Sequence, residues 1–219
     1  MVFTLQLRQI DVSPGQCLTL RQINWSDFEA ILTELGDRRA SRIAYFQGVL
    51  EIRMPLPEHE KAKIMIGEFV KILLDELEID WEPYGSTTFK CPEMAAGIEP
   101  DDCFYIANSS RMIGKIRLNL SIDPPPDLAI EVDVTSKTKI NAYIALGVPE
   151  VWRYEEDKLQ IFVLQEGEYV QVETSPTFPN LPVVEWISQF LKLSETVGAS
   201  AARRRFREWV REALNLSNK

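Results

Sequence analysis

The stretch PDLAIEVDVTSKTK, residues 126–139, holds a strand and the start of a helix. Alternation puts Leu128, Ile130, Val132 and Val134 on one face of the strand and Ala129, Glu131 and Asp133 on the other. The aliphatic face packs on a core, while the other presents two acids ~7 Å apart along the strand. Carboxylates set among apolar residues are costly unless they meet water, a cation or a metal. A solvated face is the common solution on a half-exposed strand. The alternative is a hard, oxygen-liganded ion such as Mg²⁺, toward which both carboxylates can lean.

Outward from this strand, Asp127 lies ~13 Å from Glu131 along an extended chain and cannot share that ion. A further acid must come from another strand. EPDDCFYI (99–106) offers Asp101 and Asp102, with Asp101 following a proline at the head of an apolar strand, as Asp127 does. Lys137 and Lys139 lie just past the strand, where an ammonium can orient a water or stabilise charge building on a phosphate. Two carboxylates holding a divalent ion, plus one lysine, suit metal-assisted hydrolysis of a phosphodiester.

Composition narrows the class. The chain has 219 residues, 45% hydrophobic and 26% charged, enough for one good core and a small appendage. No apolar run approaches the ~18 residues of a membrane helix. The start, MVFTLQLRQIDV, has no basic region followed by an apolar block, so no signal peptide is expected. Cys17, Cys91 and Cys103 are widely spaced without a C-x-x-C pair, which points to a reducing compartment, the cytoplasm. A single histidine, His59, argues against zinc held mainly by His and Cys. The net charge of −9 argues against a general nucleic-acid coating protein, though a local patch can still act.

Along the chain, residues 1–23 read as extended or irregular. NWSDFEAILTELGDR (24–38) reads as a helix with Ser26 as N-cap and Glu29 three residues on. RIAYFQGVLEIRMP (42–55) reads as two strands turning at Gly48. EHEKAKIMIGEFVKILLDELEI (58–79) is the clearest helix, with Ile66, Phe69, Val70, Leu73 and Leu77 on one buried face. Short strands follow in WEPYGSTTFKC, EPDDCFYI, KIRLNLSI (115–122) and DLAIEVDV, then a helix in TKINAYIALGV closed near Gly147. Residues 148–173 read as a three-strand meander, where Trp152 and Tyr154 are packing residues rather than a base-stacking platform. VVEWISQFL follows a proline-rich loop, and a helical tail ends the chain.

These residues carry a resemblance. RIAYFQGVLEIRMPLPEHEK, EPDDCFYI, PDLAIEVDVTSKT and AYIALGVPEVWRY, in that order, resemble the PD-(D/E)XK, restriction-endonuclease-like superfamily. Within it the chain is similar to a large bacterial family of restriction-endonuclease-like proteins of unknown substrate, over about residues 40–165. The resemblance implies Asp101 and Glu131 as metal ligands for Mg²⁺ or Mn²⁺. The slot two residues after Glu131, where the motif has lysine, holds Asp133. Asp133 is then a third ligand or the mark of a weakened site, and Lys137 or Lys139 substitutes from the next helix. Lys137, closer to the strand end, is favoured.

His59 and Glu60 open the long helix, which in the resembled family flanks the site. They are candidates for substrate contact or proton transfer, or else a surface histidine and an acid favouring the helix N-terminus. Glu68, two turns on, reads as solvated. In the tail, Arg203, Arg204, Arg205, Arg207 and Arg211 can steer DNA. Phe206, Trp209, Val210 and Leu214 instead make a docking stripe, the favoured alternative, with the arginines pairing acids such as Glu155 and Glu156.

The expected fold is α/β: a restriction-endonuclease-like core of mixed central sheet flanked by helices, with an N-terminal hairpin and a C-terminal helical extension. Residues 1–195 form the nuclease domain and 196–219 a basic amphipathic helical tail. The expected function is a metal-dependent endonuclease acting on DNA. No membrane partner is expected, and a homodimer is compatible with the sequence. The alternatives are a catalytically silent binding module, favoured by Asp133 and the acidic charge, and hydrolysis of another phosphoester.

Overall fold

A two-residue turn at Gln47 and Gly48, both at positive φ, joins strand β2 (Arg42–Phe46) to β3 (Val49–Arg53). Such turns match the twist of the strands they connect. β1 (Cys17–Arg21) pairs with β3, β6 (Ala96–Ile98) with β2, and β5 (Phe89–Cys91) with β6. The predicted hairpin is thus the centre of an antiparallel sheet ordered β1-β3-β2-β6-β5. The computed structural model describes residues 9–36, 39–132 and 136–217.

A second sheet is built from β4 (Glu82–Pro83), β7 (Asp102–Tyr105), β8 (Leu128–Val132), β9 (Glu150–Glu155), β10 (Lys158–Gln165) and β11 (Glu168–Val172). Its order is β11-β10-β9-β8-β7-β4. β8 and β9 run parallel and are joined by helix α4 (Lys137–Leu146), because parallel neighbours need a crossover. The meander turns at Glu156–Asp157 and Glu166–Gly167 take positive φ, as tight hairpins require.

Helix α1 (Trp25–Leu35) covers the first sheet, where Phe28 stacks on Tyr45 at 4.4 Å. Its N-cap is Asn24, whose Oδ1 accepts from Asp27 N at 2.9 Å, and not Ser26 as the sequence suggested. The helix starts there because Trp25 must enter it to pack edge-on against Phe28 and Tyr45. Helix α2 (Pro57–Glu76) begins with Pro57 at its first position, where the missing N–H costs nothing. Ile66, Phe69, Val70 and Leu73 are all buried, as their spacing predicted.

Together with α5 (Val183–Val197) and α6 (Ala199–Ser217), α2 covers one face of the second sheet around Leu128, Ile130 and Val132. The opposite face, with Ala129 and Val151, packs on Ala142 and Tyr143 of α4 and on Ala44 and Ile98 of the first sheet. Helix α4 therefore lies between the sheets, and β8 is buried on both faces. Of the two alternatives for Glu131, the solvated face is therefore ruled out.

Residues 115–122, expected as a strand, form none. Asn119 turns the chain instead. Its carbonyl accepts from Ile122 N and Asp123 N, and its Oδ1 accepts from Ser121 N at 3.0 Å. A short helix α3 (Ser109–Met112) precedes this loop. In α6, Ala202, Phe206 and Val210 are buried against α2 and α5, with Phe206 on Phe69 and Phe190. The α6 arginines pair with acids of α2 rather than with Glu155 and Glu156. Arg203 meets Glu68, Arg207 meets Asp75 and Glu76, and Arg211 meets Glu76 at 2.7 Å. Glu68, expected to be solvated, also accepts from Lys71 at 3.1 Å. The acids of α2 lie nearer because α6 docks along that helix, away from the turn that carries Glu155.

Candidate functional site

The chain sets Asp101 and Glu131 side by side. Asp101 N donates to Ile130 O at 3.1 Å, and Asp101 Oδ2 accepts from Val132 N at 2.8 Å. These two bonds bracket Glu131. Both carboxylates are buried: Asp101 is 8% exposed and Glu131 1%. Two donors from α4 meet Glu131, Lys139 Nζ on Oε2 and Tyr143 O–H on Oε1. Lys139 and Tyr143 are four residues apart, so one helical face supplies both.

Ser136 sets this face. As N-cap of α4, its Oγ accepts from Lys139 N at 3.1 Å and donates to Glu51 Oε2 on β3. The helix start is thereby tied to the first sheet, and the third residue of α4 turns inward. Lys139 is 4% exposed and ion-paired, whereas Lys137, the first helical residue, is exposed. The lysine favoured by proximity is not the one that reaches the acid.

Burial pushes the Glu131 carboxyl above its ordinary range. Lys139 opposes that rise, the Asp101 charge adds to it, and the bonds from Lys139 and Tyr143 oppose it again. The coupling to Asp101 is that of like charges sharing a site. Burial likewise pushes the Tyr143 hydroxyl well up, with the Glu131 charge adding, so Tyr143 is a donor and not a base.

Other acids, buried Glu150 and half-buried Asp127 and Asp102, are structural. Glu150 accepts from Trp152 Nε1, Ser175 Oγ and Thr177 N and Oγ1. Asp127 accepts from Ile106 N at 2.7 Å, Asn108 N at 3.0 Å and Asn108 Nδ2 at 2.8 Å, pinning the loop after β7. Asp102 faces α2, where a Cβ on Gly67 would collide with its Oδ2, and burial raises its carboxyl. What distinguishes Asp101 and Glu131 is convergence beside a lysine.

His59 and Glu60 come to the same place. With Arg53, Lys63 and Val132 they line a small opening that Asp101 also lines. Glu60 Oε2 accepts from Lys63 Nζ at 2.6 Å, and Arg42 Nη2 stands 3.8 Å from Oε1. His59 and Val132 also line a larger cleft of about 370 Å³ with Lys61, Tyr154 and Glu195. Asp133 lies outside the described residues.

The donor set suits a hard divalent ion. A carboxylate has about four lone-pair sites, so the bonds to Asp101 and Glu131 leave acceptor capacity. Among the described residues no group of three or more His, Cys, Asp or Glu converges, so an ion held there would complete its shell with water, as Mg²⁺ readily does. Sequence reasoning missed Tyr143, although its spacing of four from Lys139 was the available signal.

The family model Uma2, described as "Putative restriction endonuclease", matches residues 25–194, more than half of the 219-residue chain. Among solved structures, the chain is similar to the crystal structure of "a putative nuclease belonging to DUF820" from Anabaena variabilis ATCC 29413. That similarity has a TM-score of 0.48 at 17% identity, over 75% of this chain and 99% of the other. No curated protein matches the chain.

Proposed function

The chain belongs to the Uma2 family, and on that premise we propose that it is a divalent-metal-dependent nuclease hydrolysing DNA phosphodiester bonds at Asp101, Glu131 and Lys139. The observation that carries this reading is the buried contact of Lys139 Nζ with Glu131, beside Asp101. Among the described residues, the buried acids Glu99 and Asp123 also pair with cations, Arg39 and Lys115, but neither has a second acid bonded into the adjoining strand.

In this reading Asp101 and Glu131 hold Mg²⁺ or Mn²⁺. The bound ion would neutralise a phosphoryl oxygen and lower the pKa of a coordinated water. Lys139 keeps Glu131 ionised against its burial, and its ammonium adds a positive charge where negative charge develops on the phosphate. Tyr143 holds the other Glu131 oxygen, so the carboxylate cannot rotate away. His59 and Glu60, at the opening beside Asp101, contact the substrate. Residues 1–195 act as the nuclease domain, with 196–219 as its docked tail.

A second reading is a silent binding module that kept the fold. It is favoured because both Glu131 oxygens already have internal partners, and because Asp133 fills the usual lysine slot. Incubation of supercoiled, linear and single-stranded DNA with Mg²⁺ or Mn²⁺, beside a Glu131→Ala control, separates the two. Cleavage that disappears in the control is expected. No cleavage of any form, or equal cleavage by both proteins, gives the silent module.

A further inference from the structure

Arg39 and Arg42 flank a hollow of about 520 Å³ at the edge of the first sheet, ringed by Ser41, Ser86, Thr87 and Thr88. Guanidinium groups beside hydroxyls are the donors that take phosphate oxygens. The acid in its wall, Glu99, is already engaged. It accepts from Ile43 N at 3.1 Å, from Arg39 Nη2 and from Thr88 Oγ1. Arg42 is less committed, with Glu60 Oε1 3.8 Å from its Nη2 while Lys63 holds the other Glu60 oxygen. The Nε atoms of Arg39 and Arg42 are buried without a hydrogen-bond partner among the described residues. Both Nη groups of Arg39 are engaged, on Gly36 O and on Glu99, so Arg42 supplies the uncommitted guanidinium N–H groups of the wall, inside a chain of net charge −9.

The hollow adjoins the candidate site in two ways. Arg42 stands opposite Arg53 across β2 and β3, and Arg53 lines the opening beside Asp101. Glu99 precedes Asp101 by two residues, ~7 Å along an extended chain.

We propose that this hollow binds a backbone phosphate of the substrate strand, close to the phosphate held at Asp101 and Glu131. The inference rests on the nuclease reading above. Contacts of this kind position the strand without reading its sequence, and they weaken as salt rises.

The test is fluorescence anisotropy of a fluorescein-labelled oligodeoxynucleotide, single-stranded and duplex, in EDTA over a salt series. Arg42→Gln and Ser86→Glu alter the hollow, and Ser86 is an exposed residue whose change leaves the core untouched. Lys192→Gln, on the exposed side of α5, changes net charge equally and serves as control. Both hollow variants should bind about tenfold more weakly, as loss of a charge-assisted bond implies. Arg42→Gln should also lower the log–log salt slope by about one, with Lys192→Gln unchanged. Wild-type binding that both hollow variants retain with the same slope overturns the subsite and leaves the nuclease reading standing. An equal loss in Lys192→Gln overturns it too, since net charge then explains the effect. No binding of either DNA form by the wild-type chain overturns the subsite, while the nuclease reading stands or falls on cleavage with Mg²⁺ or Mn²⁺.

Discussion

Lys139→Met leaves Glu131 buried without its cation while preserving most of the side-chain volume. Glu131 is 1% exposed, and among the described residues the remaining hydrogen-bond partner of its carboxylate is the Tyr143 hydroxyl. Breaking a buried pair from one side costs about 3–5 kcal/mol at neutral pH. Protonation of Glu131 limits that loss. Its folded-state pKa is already raised by burial, so its contribution to stability is fully present below the ordinary value and is lost as pH rises through the raised one. Removing Lys139 takes away the main influence opposing that rise and extends the window upward. Urea unfolding followed by tryptophan fluorescence should therefore show a large loss at pH 7 that shrinks toward pH 5. The double variant Glu131→Gln/Lys139→Met, which buries no charge, should recover most of the loss. A Lys139→Met variant that loses under about 1 kcal/mol at pH 7, with no pH dependence, would place the pair in high dielectric and refute the reasoning.

Asp127→Ala frees two backbone amides and an asparagine amide, so it should cost about 2–3 kcal/mol in urea unfolding. Divalent-ion binding should be unchanged in that variant, because Asp127 belongs to a loop anchor. Asp102→Asn keeps the bond from Cys103 N and removes a carboxylate that burial disfavours, so it should raise the urea midpoint at pH 7. The gain should vanish in acid, where Asp102 is protonated in the folded state and then in the unfolded state. Phe206→Ala empties the contact between α6, Phe69 and Phe190 and should cost about 3–5 kcal/mol, read as a lower thermal midpoint.

Periodicity made most of the element order legible. The α2 stripe, the β2–β3 turn at Gly48, and the alternation in β8 all appear as spacing, because each is a local property of the chain. Long-range packing was not legible. Alternation put Glu131 opposite the aliphatic face of β8, but only the placement of α4 between two sheets shows that this face is also buried. The same holds for the lysines. Lys137 and Lys139 are equivalent until Ser136 is known to cap the helix, after which the third helical residue faces the strand and the first faces solvent. Residues 115–122 had the composition of a strand, yet the Asn119 turn satisfied their backbone locally. The acids chosen for the α6 arginines were wrong because partner choice depends on which helix the stripe docks against. The Arg39–Arg42 hollow joins segments too far apart in sequence for any spacing rule to pair.

The most direct measurement is a calorimetric titration of the wild-type chain and of Asp101→Asn with Mn²⁺. The wild-type chain should bind the ion with an affinity that Asp101→Asn, nearly identical in shape, loses by tenfold or more, about 1.4 kcal/mol. Absence of Mn²⁺ binding by the wild-type chain, or equal binding by both proteins, would contradict a metal centre at Asp101 and Glu131.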